Sequence, residues 1–69
     1  RHLQVVSTRY EGIEYRIYLA PEGEETYMVQ DFSENREFEI PLDSHGICTI
    51  EWKIKDADAD TVRIAEIAY

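Results

Sequence analysis

Short runs in which apolar and polar residues alternate recur along this sequence. The clearest run spans residues 47–54, with apolar Cys48, Ile50, Trp52 and Ile54 alternating with polar Thr49, Glu51 and Lys53. A period of two is typical of a β-strand with one buried face and one solvated face. The pattern therefore predicts a strand at Ile47–Ile54.

Two further segments repeat this pattern. In Ile13–Leu19, one face carries Ile13, Tyr15, Ile17 and Leu19, and the other carries Glu14, Arg16 and Tyr18. In the second segment, Phe38, Ile40 and Leu42 alternate with Glu37 and Glu39. We predict strands at both places, and also from Leu3 to about Thr8 and from Thr26 to Phe32.

Turn sequences separate these runs. Pro21-Glu22-Gly23-Glu24 predicts a hairpin, because Pro suits the first central position of a turn and Gly suits a position with positive φ. Asp43-Ser44-His45-Gly46 predicts another turn, in which Asp and Ser bond the local backbone and Gly46 takes positive φ. Turn signals at intervals of roughly 8 to 15 residues are typical of a meander of short strands.

The segment 57–69 has two interpretations. As a helix, it would begin with Asp60 as N-cap, and Val62, Ala65, Glu66 and Tyr69 would share one face. As a strand, it would use the β-branched residues Val62, Ile64 and Ile67, which favour strands. We favour the strand.

Six short strands predict an all-β fold, a small antiparallel sandwich or partly open barrel, with an α+β fold carrying a C-terminal helix as the alternative. A chain of 69 residues is short enough for one domain only, so we expect residues 1–69 to form a single small β domain. The sequence begins without Met, which fits a domain excised from a longer chain. The single cysteine, Cys48, allows no intrachain disulfide.

The charge of the chain limits its partners. Seven Lys and Arg against fifteen Asp and Glu give a formal net charge of −8. Nucleic acid and anionic membranes are bound mainly through basic side chains, so we expect neither as a direct partner. No apolar run approaches the roughly 18 residues that cross a bilayer, and we expect a soluble chain. Its compartment is left open.

An acidic triplet raises the question of a metal. Asp56, Asp58 and Asp60 occupy alternate positions, as at the start of a calcium-binding loop. The sixth position of such a loop is Gly and the twelfth is a bidentate Glu, whereas this chain has Thr61 and Ile67 there. We therefore predict a solvated turn and no cofactor, with calcium as the alternative.

Catalytic constellations are not evident in the sequence. Asp43, Ser44 and His45 are adjacent, and adjacent residues rarely satisfy the geometry of a catalytic triad. Cys48 belongs to the apolar set of its strand, where cysteine behaves as a small hydrophobic residue. We expect that the chain is not an enzyme.

The five tyrosines are the better indication of function, because they cannot all pack in so small a core. Tyrosine is favoured in protein interfaces. We predict a protein-interaction or self-association domain, whose partner is another protein or, in a homo-oligomer, a second copy of the chain. Its tyrosine-bearing sheet face or edge includes Tyr18, Tyr27, Arg16 and Glu14. The alternatives are a carbohydrate-binding accessory module of an extracellular enzyme and an acidic inhibitor that mimics nucleic acid.

Overall fold

The computed structural model describes residues 1–6, 11–58 and 61–69, and in these residues the fold is all-β. The strands are β1 (His2–Gln4), β2 (Ile13–Pro21), β3 (Tyr27–Ser33), β4 (Glu37–Glu39), β5 (Gly46–Ile54) and β6 (Arg63–Ala68). The all-β prediction is confirmed. The alternative with a C-terminal helix is wrong, because Arg63–Ala68 is a strand that pairs with β5.

The strands form two antiparallel sheets packed together. The larger sheet has the order β3-β2-β5-β6, and the smaller sheet pairs β1 with β4. β2 and β5 lie at the centre of the larger sheet, and each is nine residues long. They are paired without interruption from Ile13 opposite Ile54 to Pro21 opposite Gly46. This long central pair is the frame on which the other strands are placed.

The core lies between the two sheets, on the face that the alternating pattern predicts. The larger sheet contributes Tyr15, Ile17 and Leu19 from β2 and Cys48 and Ile50 from β5. Phe38 of β4 and Ile40 just after it come from the other side. Their packing removes apolar surface from water, which is the main favourable contribution to folding.

The hairpin between β2 and β3 begins with a tight turn. The amide of Glu24 donates to the carbonyl of Pro21 at 3.1 Å, so Glu22 and Gly23 are the central residues. Gly23 has φ of +79°, as predicted. Pro21 occupies the first position of the turn and not the predicted central one, because it ends β2 opposite Gly46.

β3 is paired irregularly with β2. The register shifts twice, between Tyr15 and Ile17 and again between Ile17 and Tyr18. The side chain of Gln30 bridges the first irregularity, since its Nε2 donates to the carbonyls of Tyr15 and Asn35, each at 3.0 Å. The side-chain amide of Gln30 thus bonds the main-chain carbonyl of Tyr15 at the point where the pairing of β2 with β3 is irregular.

Gly46 corrects one prediction. It does not take positive φ; in the described residues the glycines that do are Gly12 and Gly23. Gly46 starts β5, and its amide and carbonyl are paired with those of Tyr69. A Cβ at this position would clash with the carbonyl oxygen of Ala20. The reason for glycine here is the close approach of the neighbouring strand.

Two strand boundaries were also wrong. β4 ends at Glu39, and Leu42 lies in the following turn with its side chain exposed, although the alternation placed it with Phe38 and Ile40. β1 ends at Gln4, before the predicted end near Thr8, which lies outside the described residues. In both places the apolar pattern continues beyond the residues that have a strand to pair with.

Candidate functional site

The outer face of the larger sheet, turned away from β1 and β4, carries a ladder of opposite charges. Arg16 and Glu51 lie opposite each other on β2 and β5, and Nε of Arg16 donates to Oε1 of Glu51 at 2.7 Å. One pair further along, Nζ of Lys53 donates to Oε1 of Glu14 at 2.9 Å. We call Glu14, Arg16, Glu51 and Lys53 the charged ladder. Its four side chains are half-buried, and their charges cancel.

Aromatic rings cover part of the charged ladder. Cζ of Arg16 lies 4.4 Å from the centroid of the Phe32 ring, and Nζ of Lys53 lies 5.0 Å from the same centroid. Cζ of Arg16 also lies 5.6 Å from the centroid of Tyr18. These are cation–π distances. The hydrogen bond from Glu51 raises the pKa of Arg16, so the guanidinium stays charged across the accessible pH range.

The structure brings together three of the four residues predicted as a binding surface. Glu14, Arg16 and Tyr18 all lie on the outer face of β2. Tyr27 does not join them, because it lies opposite Leu19, a core residue, and directly opposed residues share a face. Tyr27 is nevertheless 46% exposed, at the beginning of β3. It is the one aromatic side chain in the described residues that is exposed to this degree.

The other end of the outer face is apolar. Ala20, Ile47 and Ala68 form one row across β2, β5 and β6. Met28 on β3 lies opposite Tyr18 on β2, and its side chain is exposed. The outer face therefore changes from charged and internally paired at one end to apolar at the other.

β6 provides a free strand edge. It pairs with β5 on one side, and no described residue pairs with it on the other. Tyr69 and Gly46 exchange both main-chain hydrogen bonds. Because such pairs alternate along an antiparallel ladder, the amides and carbonyls of Ile64, Glu66 and Ala68 point away from β5. We call this side of β6 the open edge.

Exposed isoleucines flank the open edge on both faces of the sheet. Ile64 lies opposite Glu51 on the outer face and is 60% exposed, and Ile67 lies opposite Cys48 on the inner face and is 47% exposed. Arg63 and Glu66 are the charged side chains of the strand. An edge strand with free main-chain groups and apolar flanks is a template for pairing with another chain.

The opposite edge of the sheet differs. β3 has two register shifts against β2, and bulges of this kind bend and twist an edge away from regular pairing. Asp31 is exposed in the middle of this strand. The two edges of the larger sheet are thus unequal, and β6 is the regular one.

The sequence did not single out Ile64 and Ile67 as site residues. Their β-branched side chains predicted the strand, but no pattern within the chain indicates which strand lies at the edge of a sheet. β2 and β5 pair although 24 residues, 22–45, lie between them in the sequence, and this pairing places β6 at the edge of the sheet. That order results from long-range packing.

The predicted turn near the acidic triplet is present as far as the described residues extend. Asp56 and Asp58 are exposed, and Asp56 has φ of +64° in the turn after β5. Asp60 lies outside the described residues. No group of three or more His, Cys, Asp or Glu side chains in the described part of the chain is placed to hold a metal ion.

Two of the residues considered for catalysis, His45 and Cys48, lie in different surroundings. His45 is exposed in the segment before β5, and Cys48 is fully buried in the core. Burial raises the pKa of the Cys48 thiol, which keeps it protonated and unreactive.

The described part of the chain contains no helix with the length and apolar character needed to span a membrane.

Comparison with known proteins assigns no family. No protein-family model, no curated protein and no solved structure matches this chain.

Proposed function

We propose that this chain is a non-catalytic association domain that pairs with a second copy of itself through the open edge of β6. The observation that supports the proposal best is the combination of outward main-chain groups at Ile64, Glu66 and Ala68 with the exposed side chains of Ile64 and Ile67. Strand addition uses main-chain hydrogen bonds for affinity and the flanking side chains for specificity. β6 supplies both.

A second copy fits the open edge because an antiparallel strand pair can be two-fold symmetric. In one register, Ala65 lies opposite Ala65 of the second copy, and Ile64 lies opposite Glu66 of the second copy. The main-chain amides and carbonyls of Ile64 and Glu66 point away from β5, so they can form hydrogen bonds with each other across the two copies. The register shifted by one residue on each strand would place Glu66 opposite Glu66, and like charges directly opposite are destabilising. The Ala65 register is therefore the one we propose.

Net charge opposes this association and provides a way to recognise it. Two copies with a net charge of −8 each repel one another. Salt screens this repulsion, since the Debye length falls from about 30 Å at 0.01 M to about 10 Å at 0.1 M salt. The self-association constant should therefore rise with salt, whereas binding of a basic partner would weaken.

Sedimentation equilibrium over a wide concentration range tests the proposal. We expect a monomer–dimer equilibrium that shifts towards the dimer between 0.01 M and 0.15 M salt. A pairing of single edge strands buries less than a standard interface, so the dimer should be weak and should form at high concentration. A chain that stays monomeric at every concentration and salt condition would contradict the proposal.

A proline at residue 66 tests the edge directly. Glu66→Pro removes an outward amide and leaves the hydrogen bonds from β6 to β5 intact, because proline is tolerated where the N–H of an edge strand faces solvent. Glu66→Ala is the matched control, since it removes the same charge and keeps the amide. We expect Glu66→Pro to abolish the dimer and Glu66→Ala to strengthen it. Equal dimerisation of both variants would rule out strand pairing at this edge.

A cysteine substitution tests the register. In a Cys48→Ala background, Ala65→Cys places two thiols opposite each other across the two-fold axis, within the Cα separation of about 4.4–6.8 Å that a disulfide needs. Arg63→Cys, in the same strand and on the same face, is the control, because it would lie opposite Ile67. We expect a rapid disulfide dimer from Ala65→Cys alone. Faster cross-linking of Arg63→Cys would exclude the Ala65 register.

A further inference from the structure

One end of the outer face of the larger sheet is apolar and partly exposed. Ala20, Ile47 and Ala68 form the last row across β2, β5 and β6, and Met28 and Tyr18 belong to the row before it. We call these five residues the apolar end. β1 and β4 pack on the inner face, and on the outer face Ile47 is 38% exposed and Met28 50% exposed. An apolar sheet face is normally buried against another element.

The apolar end is surrounded by described strands and by the described hairpin turn. Gly12 and Lys55 lie close in sequence to the gaps at 7–10 and 59–60, and their main chains are hydrogen-bonded to each other at the opposite end of the sheet. From there to the row of Ala20, β2 runs for roughly 23 Å at the rise of an extended strand.

The charged side chains that border the apolar end, among the described residues of the larger sheet and its hairpin, are acidic. Glu22 directly follows the last row, since its amide donates to the carbonyl of His45 at 2.8 Å. Glu24 and Glu25 continue the hairpin turn, and Glu66 lies on the outer face of β6. All four glutamates are exposed, and we call them the acidic rim.

No basic side chain from the described strands at this end of the larger sheet balances the acidic rim. Segments 17–30, 46–50 and 64–69 form this end of the sheet and contain no Lys or Arg. Arg16 and Lys53 lie further along the outer face, where they pair with the glutamates of the charged ladder. The charge around the apolar end is therefore complementary to a partner with basic side chains.

We propose that the apolar end binds a basic amphipathic helix of another protein. Apolar side chains of the helix would pack on Ile47 and Met28, and its Lys or Arg side chains would pair with the acidic rim. A helix fits because the main chains of β2 and β5 are already paired within the sheet, and a helix with one apolar stripe is a common cover of a sheet face. This site uses the face of the sheet and does not depend on pairing of the open edge.

Fluorescence anisotropy of a labelled helical peptide of leucine and lysine, with the leucines along one stripe, tests the site. The control peptides carry glutamate in place of lysine or serine in place of leucine. We expect saturable binding of the leucine–lysine peptide alone, weakening as salt rises from about 0.01 M to about 0.15 M. The proposed self-association strengthens over the same range, so the two can fail separately. Absence of saturable binding would overturn the proposal.

Two triple variants test the charge complementarity. One removes three charges of the acidic rim: Glu22→Gln, Glu24→Gln and Glu25→Gln. The matched control removes the same charge from exposed positions away from the rim: Glu11→Gln, Glu37→Gln and Glu39→Gln. Loss of three weak ion pairs should raise the Kd of the peptide roughly tenfold. The control should raise it by less than about threefold, because salt screens distant charges.

Ile47→Thr tests the apolar contact and keeps a β-branched residue in the strand. Leu42→Thr is the control, because Leu42 is exposed in a turn outside the sheet. We expect the Kd to rise roughly fourfold for Ile47→Thr, which corresponds to about one buried methylene group, and to stay unchanged for Leu42→Thr. Retention of the wild-type dispersion of amide signals in NMR spectra is the check that each variant is folded.

Chemical-shift changes on addition of the peptide should centre on Ala20, Ile47 and Ala68. Equal binding of the leucine–glutamate peptide, equal effects of the two triple variants, or shifts centred elsewhere would overturn the proposal. Shifts at Ile47 that appear when the chain is concentrated without peptide would assign this face to a second copy, and would overturn it as well.

Discussion

The charged ladder on the outer face makes a quantitative prediction about ion-pair strength. Arg16 and Glu51 form a hydrogen-bonded pair at 2.7 Å, with their side chains 30% and 14% exposed. A double-mutant cycle with Arg16→Ala, Glu51→Ala and the double variant isolates the interaction between the two side chains. Alanine is the appropriate replacement because cross-strand pairs are referred to Ala–Ala.

The expected coupling free energy follows from the burial of the pair. Solvent-exposed ion pairs contribute about 0–1 kcal/mol, and hydrogen bonds to charged groups contribute about 1.5–3 kcal/mol when they are shielded from water. The half-buried Arg16–Glu51 pair should lie between these limits, at roughly 1–2 kcal/mol. This is a substantial part of the roughly 3–10 kcal/mol expected for the stability of 69 residues.

Urea unfolding followed by tryptophan fluorescence gives the four free energies of the cycle. Lys55 and Glu34 provide an internal control, since their pair is longer, at 3.2 Å, and its side chains are 53% and 47% exposed. The same cycle on this pair should give a smaller coupling that disappears in 1 M salt. An Arg16–Glu51 coupling no larger than the Lys55–Glu34 coupling would show that the sheet does not shield the charged ladder from water.

Three further predictions concern the core and the central strand pair. Ile17→Ala should lower the free energy of unfolding by about 2–5 kcal/mol, because Ile17 is fully buried. Urea unfolding measures this loss, and a loss below about 1 kcal/mol would contradict the prediction, because it would mean that the neighbouring side chains fill the cavity. Gly46→Ala should lower the free energy of unfolding several-fold more than Gly23→Ser does, because the new Cβ at residue 46 clashes with the main chain of β2, whereas residue 23 has open space around it. A melting temperature of Gly46→Ala near that of the wild type would contradict this. The pKa of Cys48 is raised by burial above its ordinary value of 9.0, so above about pH 9 the unfolded state loses a proton that the folded state keeps and stability falls. Between pH 8 and pH 10, the free energy of unfolding should fall more for the wild type than for Cys48→Ala. Equal decreases in the two proteins would exclude the thiol as a cause.

The alternating pattern predicted the central strands well because their two faces meet different surroundings. Ile17 and Cys48 lie in the core, while Arg16 and Glu51 pair on the outer face, so the period of two is visible in the sequence. The pattern failed at Leu42, where alternation continues beyond the end of pairing. The prediction that Gly46 takes positive φ was wrong, because glycine is needed there for the close approach of β2, which local turn chemistry does not indicate.

The structure places only some of the predicted binding residues on one face, for the same physical reason. Glu14, Arg16 and Tyr18 share a face because they are alternate residues of one strand, and period alone is enough to group them. Tyr27 belongs to another strand, and two register shifts decide its face. The open edge depends on which strands are neighbours in the larger sheet. That order is not encoded in a short stretch of sequence.

The irregular pairing of β3 has a consequence for how far association can proceed. A chain with two regular edges could add copies at both sides without limit, as in fibres, because each addition leaves a new edge exposed. Here the register shifts of β3 leave the larger sheet with one regular edge among the described residues, and the two-fold pairing that we propose would use that edge in both copies. The bulges of β3 would then prevent further strand addition, limit the proposed assembly to two subunits and oppose polymerisation.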